Sequence, residues 1–260
     1  MDWNLIALGT SASAAAGLAT AIGALPVFIL RSISDRVQDA FLGFAAGVML
    51  AASFFSLILP GLEAAAEQGH DARGSAAIIC AAILLGAAVL HLVNRLAPHE
   101  HFVSGPTDAA ARSRLSRIWL FVIAITLHNF PEGLAVGVSF GGNNVPQGWT
   151  TAIGIGTQNV PEGLAVAVAL SSAGYSRAFA FGTALLTGLI EPIGGFIGIS
   201  AVTMSSALLP WGLGFAGGAM IWVVSSEIIP ETHRREGNGA ATSLLMIGLA
   251  LMMYLDWTLG

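Results

Sequence analysis

The stretches HNFPEGLAVGV (128–138) and QNVPEGLAVAV (158–168) agree at eight of eleven positions. Each lies inside a long apolar run, and each places polar side chains where apolar ones are expected. His128 and Glu132 are four residues apart, as are Gln158 and Glu162, so each pair shares a helix face. Asn129 and Asn159 sit one position on, turned about 100° round the helix. A charge at mid-membrane costs roughly 3 kcal/mol or more, so an ionisable residue inside a span points to function.

The surrounding runs are membrane spans. The chain is 55% hydrophobic and only 10% charged, with a mean hydropathy of +0.77. A soluble domain carries about 25% charged residues. A spanning helix needs about 20 mostly apolar residues. Eight such runs are legible, at about 3–30, 39–60, 74–94, 117–140, 148–172, 178–202, 209–230 and 239–259. The expected fold is an all-α integral membrane protein, one polytopic domain over 1–260 with a polar loop at about 95–117. The first run is too long for a signal-peptide core and lacks a basic flank. Cys80, the one cysteine, sits in an apolar stretch and reads as a buried structural thiol.

Arginine gives the orientation, because there is no lysine. Arg31, Arg36, Arg95, Arg112, Arg114, Arg117, Arg177, Arg234 and Arg235 fall on one side of an eight-span chain, and Arg73 on the other. The positive-inside rule places the nine in the cytoplasm and both termini outside. A plasma (inner) membrane location follows for a bacterial-type chain.

The two hexapeptide-centred repeats occupy consecutive spans, which run in opposite directions. A second echo links GFAAGVMLAASFFSLILP (43–60) with GFAGGAMIWVVSSEIIP (214–230), given a one-residue gap. It too joins spans of opposite direction. An inverted repeat is expected, with spans 1–3 related to 6–8 and spans 4 and 5 as the central pair. Such repeats are typical of secondary transporters, with the site near the midplane.

Counting at about 1.5 Å per residue brings His128 level with Glu162 and Glu132 level with Gln158, if the two helices are neighbours. Glu191, in GLIEPIGG, falls at a similar depth on span 6. One imidazole with carboxylates and amide oxygens suits a borderline divalent ion such as zinc. Three glutamates suit one such ion well and a second less tightly. A hydrogen-bonded pair gluing two helices is the plain alternative. Two copies, Glu191 and matching prolines weigh against it. Pro131 and Pro161 each remove a helix hydrogen bond and free the carbonyl four residues earlier, at Leu127 and Thr157. Those carbonyls are possible ligands or hinges. Gly133 and Gly163 permit close helix approach.

HNFPEG, QNVPEG one span later and EPIGG on the next resemble the ZIP family of divalent-metal transporters, most of all its bacterial GufA-type members. The likeness covers nearly the whole chain, including GFAAGVMLAAS and GAMIWVVSSEIIPETHR. It implies eight core spans in a 3+2+3 inverted repeat and a binuclear metal centre between spans 4 and 5. One site would use His128, Glu132, Gln158 and Glu162. The other would use Asn129, Asn159 and Glu191, with the span 4 and 5 glutamates bridging. Met49 matches a thioether position near the first site; by itself it reads as core packing. Gln158 departs from the commoner family pattern, which has histidine there. Weaker discrimination for zinc, with wider acceptance of cadmium, iron or manganese, is expected.

A pathway is sketched by residues outside the cluster. Ser56 and Glu63 lie near the outer end of span 2 and resemble entrance residues. His91, His99, His101, Glu227, Glu231 and His233 lie toward the cytoplasmic side. Polar helix ends and a solvated loop are the blander readings of both groups. Asp256 reads as a helix-end charge. The expected function is uptake of Zn²⁺, or of Cd²⁺, Fe²⁺ or Mn²⁺, by alternating access, with the ion as substrate and no cofactor. There is no Walker-type nucleotide motif. No nucleic acid partner is expected, and small-residue helix faces allow a homodimer. Two rivals are an exporter with the same ligands and an intramembrane metal-dependent hydrolase with Glu162 as base.

Overall fold

The computed structural model describes residues 2–30, 33–96, 109–141, 144–232 and 239–259. Among the described residues all regular structure is helical. Seven helical segments are long and apolar enough to cross a membrane. Helix α6 (Val145–Ser172), 28 residues long, is the eighth candidate. Gln158, Asn159 and Glu162 make it more polar than the others, and all three are turned inward and buried.

Short polar caps set where the helices begin. The Asp2 side chain accepts from the Asn4 and Leu5 amides at the start of α1 (Trp3–Ala24). Ser34 accepts from the Val37 amide at the start of α2 (Asp35–Ala51). Asn144 caps α6 through the Gln147 amide, and Ser176 caps α7 (Arg177–Gly188) through the Phe179 amide. These side chains satisfy donors that a first turn otherwise leaves bare.

The second span continues beyond α2 through a π-helical stretch, Ala52–Ile58, into α3 (Leu59–Glu67). The seventh does the same: α9 (Leu208–Val223) passes through a π-helical stretch, Val224–Ile228, into α10 (Ile229–Thr232). Each stretch ends two residues before a proline, Pro60 or Pro230. The Leu59 amide reaches back five residues to the Phe54 carbonyl, and the Ile229 amide five to Val224. Proline cannot donate, so the regular bond is missing at that point and the helix widens by one residue.

Three expectations from the sequence change here. The sixth span is broken: α7 ends at Gly188 and α8 (Glu191–Met204) starts afresh. Pro192 stands in the first turn of α8, where its missing N–H is tolerated. Pro131 and Pro161, by contrast, leave α5 (Ala109–Ser139) and α6 continuous. The polar loop is shorter than 95–117, because α4 (Ala72–Leu96) and α5 extend into it. Cys80 is exposed on α4, not buried.

The most extensive helix pairs are α1 with α6, α5 with α8, α4 with α9, and α2 with α11 (Gly239–Leu259). Glycine makes these approaches possible. A Cβ on Gly133 would stand 2.0 Å from the Glu191 carbonyl oxygen, and one on Gly163 1.9 Å from that of Thr20. Helices α4 and α11 are the least buried; α5 and the α2–α3 span carry the most buried windows. The polar cluster therefore sits in the interior, away from the lipid-facing helices.

Candidate metal centre

Seven side chains singled out in the sequence are buried together at the centre of the fold. Asn129, Glu132, Gln158, Asn159 and Glu191 have no exposed surface, and His128 and Glu162 have 2% and 1%. Helix α5 carries His128, Asn129 and Glu132. Helix α6 carries Gln158, Asn159 and Glu162. Glu191 opens α8, next to Pro192.

The amides stand between the carboxylates. Gln158 Nε2 donates to Glu132 Oε1. Asn159 Nδ2 donates to Glu191 Oε1 at 2.7 Å and to the Ala16 carbonyl of α1 at 2.8 Å. Glu162 is within electrostatic range of His128 and Glu191, and Glu132 within range of Glu162 and Glu191. Among the described residues no three His, Cys, Asp or Glu side chains alone close round a point that could hold an ion. The amides are needed to complete any such set.

Many atoms in the cluster are buried without a hydrogen-bond partner. They are both ring nitrogens of His128, both amide atoms of Asn129, Glu132 Oε2, Gln158 Oε1, Asn159 Oδ1, both carboxylate oxygens of Glu162, and Glu191 Oε2. Buried polar groups are normally paired, because leaving one bare costs about 1–3 kcal/mol. So many unpaired acceptors in one place suit a cation, which can draw several of the carboxylate and amide oxygens and one imidazole nitrogen as ligands.

Met49 is fully buried in the apolar core of α2, and its carbonyl accepts from Ser53 Oγ. Ser56 is buried and Glu63 exposed. Glu227 and His91, sketched as cytoplasmic pathway residues, lie apart from one another in role. Glu227 Oε2 is 3.6 Å from His128 Nδ1, so it borders the cluster itself. His91 is exposed and meets Trp222 edge-on, with ring centroids 5.1 Å apart. Glu231 is exposed on α10. His99, His101 and His233 lie outside the described residues.

Asp256 is not a simple helix-end charge. Its Oδ1 accepts from Ser56 Oγ at 2.6 Å and from Gln147 Nε2 at 3.2 Å. Gln147 Nε2 also lies 3.4 Å from the Ser56 carbonyl, whose regular helical donor would be the missing N–H of Pro60. Gln147 went unnoticed in the sequence. Its one signal was an amide at the start of an otherwise apolar span, which a cap explains equally well.

The ZIP zinc transporter family model matches residues 99–256. The chain belongs to the ZIP family. It is 46% identical to the zinc transporter GufA of Myxococcus xanthus over 97% of this chain and 99% of that protein. It is 47% identical to the zinc transporter ZIPB of Bordetella bronchiseptica, over 95% of this chain and 80% of that one. The human zinc transporter ZIP11 is 35% identical, over 93% and 94%. Membership agrees with an all-helical, multi-pass membrane protein, and the ZIP match includes all seven clustered residues.

Proposed function

We propose that this ZIP protein moves Zn²⁺ or a similar divalent transition-metal ion across the membrane into the cytoplasm. Its relatives are named zinc transporters, and it acts as a transporter, not an enzyme. The observation that carries the reading is the buried set of unpaired donors on α5, α6 and α8. His128, Glu132, Gln158 and Glu162 would hold one ion. Asn129, Asn159 and Glu191 would hold a second, with Glu132 and Glu162 bridging. To bind, an ion displaces the Gln158–Glu132 bond and the amide turns its oxygen inward. Zn²⁺ accepts this mixed nitrogen and oxygen set, and Cd²⁺, Fe²⁺ and Mn²⁺ are also compatible with it.

The packing supports a 3+2+3 inverted repeat. Exchanging spans 1–3 with 6–8, and 4 with 5, turns the α1–α6 pair into α8–α5 and the α2–α11 pair into α9–α4. Gly47 and Gly218, equivalent in the second echo, each press on the third span of the other half. A Cβ there would stand 1.9 Å from the Leu245 carbonyl oxygen and 2.2 Å from that of Ile83. Both π-helical stretches occupy equivalent positions.

The same pairs define two sets of helices, α1 with α5–α8 and α2–α4 with α9–α11. The cluster belongs to the first. The Asp256–Ser56–Gln147 contacts join the sets at one end, and His128–Glu227 joins them near the cluster. Alternating access follows if one set slides past the other and these contacts break and re-form. By the arginine asymmetry the Asp256 end faces outward, in a plasma membrane with both termini outside.

Zinc flux into proteoliposomes tests this directly. The parent protein takes up zinc, and Glu132→Ala and Glu162→Ala lose most of that flux. A well-folded parent with no flux sinks the transport reading. Full flux in both variants sinks the site assignment.

A further inference from the structure

Within each helix set, backbone meets backbone. Among the described residues, every glycine whose would-be Cβ stands within 2.3 Å of a carbonyl oxygen faces a helix of its own set. Gly23 meets Val160 and Gly137 meets Gly195 in the first set; Gly43 meets Ala241 and Gly86 meets Phe215 in the second. A helix carbonyl is held by its own hydrogen bond and cannot turn aside, so these seams fix helix against helix.

Between the sets, glycines meet side chains instead. A Cβ on Gly154 of α6 would stand 2.3 Å from Met252 Sδ and 2.7 Å from its Cε, on α11. One on Gly212 of α9 would stand 3.0 Å from Val138 Cγ1 of α5, and one on Gly141, just past α5, 2.9 Å from Leu209 Cδ1 of α9. The Met252 contact is the closest of these. Its side chain has no exposed surface, and two of its atoms fill the notch. Methionine is unbranched and flexible, so it can enter and leave such a notch.

The notch lies in register with a polar contact. Gln147 and Gly154 share a face of α6, two turns apart, and Met252 and Asp256 share a face of α11, one turn apart. Asp256 accepts from Gln147, and Met252 fills Gly154. Helices α6 and α11 are thus pinned at two points, one polar and one steric. Gln158, the nearest member of the cluster on α6, is one turn beyond Gly154 on the same face. The other repeat has no such notch. Ala124 stands before His128 as Gly154 stands before Gln158, and it carries a methyl group.

We propose, resting on alternating access between the two sets, that Met252 in the Gly154 notch is a steric latch. It holds the sets in the register seen here, and the cluster opens toward the Asp256 end only when the thioether swings out.

The test is thiol labelling of the purified full chain in detergent. Cys80→Ser removes the native thiol, and Thr151→Cys places a reporter at a buried position between Gln147 and Gly154. A cationic methanethiosulfonate reaches the new thiol only when α6 and α11 part. Met252→Ala empties the notch, and Gly154→Ala drives the thioether out of it. Each is expected to speed labelling roughly tenfold over this background. Met252→Leu refills the notch with a similar volume and should label at the background rate. Gly47→Ala strains α2 against α11 inside the second set, so it should lower the melting temperature without speeding labelling. The proposal fails if either notch variant labels at the background rate, or if Gly47→Ala labels as fast as they do. Failure of the transport reading looks different: the folded parent then carries no zinc into proteoliposomes, whatever the labelling rates.

Discussion

His128 Nδ1 faces Glu227 Oε2 at 3.6 Å, although the two residues are 99 positions apart on different spans. The contact joins the helix set that carries the proposed metal centre to the set packed beside it. It puts a fourth glutamate next to the one imidazole of the cluster. Glu227 reaches that position because the π-helical stretch at Val224–Ile228 interrupts the α-helical register of the seventh span.

Glu227 should therefore affect metal loading as well as helix packing. Glu227→Gln removes the charge and keeps the shape. It is expected to raise half-saturating zinc about fivefold, roughly 1 kcal/mol. Zinc-dependent uptake in proteoliposomes measures this. A variant with the parent's zinc dependence would leave the contact as helix-to-helix glue.

Gln158 supplies a neutral amide at the position where the other repeat has the imidazole of His128. Gln158→His should favour zinc over manganese by about tenfold, some 1.4 kcal/mol. Competitive titration of the two metals gives the ratio directly. Unchanged relative affinities would falsify the view that this position sets metal preference.

Gly133 is a structural limit on the centre. Gly133→Ala drives a methyl group into the Glu191 backbone, since the Cβ would lie 2.0 Å from that carbonyl oxygen. The cost of such overpacking is about 1–3 kcal/mol or more. Gly182 on α7 has nothing within 4 Å of its would-be Cβ, so Gly182→Ala is expected to be neutral. Thermal unfolding in detergent, followed by size-exclusion chromatography, should separate the two variants clearly. Equal melting would mean that α5 and α8 can part without penalty.

Asp256 anchors a contact between the eighth span and the second and fifth. Asp256→Ala leaves Ser56 Oγ and Gln147 Nε2 without their acceptor and should cost about 1–3 kcal/mol. Asp256→Asn retains an acceptor oxygen and should recover most of that. The same melting assay distinguishes them; two variants of equal stability would show that the bonds contribute nothing.

Much of this was legible in the sequence because local spacing encodes it. Long apolar runs require helices, and the four-residue spacing of His128 with Glu132 and of Gln158 with Glu162 fixes which groups share a face. The duplicated proline-containing words named the two central helices. The break before Glu191 was missed because Pro131, Pro161 and Pro192 look alike locally. Pro131 and Pro161 lie within continuous helices, whereas Pro192 falls in the first turn of a helix that starts afresh.

By itself, the sequence determined that the chain is a bundle of membrane helices and that seven polar residues belong at its centre. The tertiary structure decided which partners those residues meet. Asp256 read as a helix-end charge, and Glu227 as a pathway residue toward the cytoplasmic side, until their spans were packed. Helix faces follow from spacing along one chain segment. Neighbours follow from where two backbones can approach, and that depends on glycines meeting carbonyls far away in sequence, as Gly133 meets Glu191 and Gly163 meets Thr20.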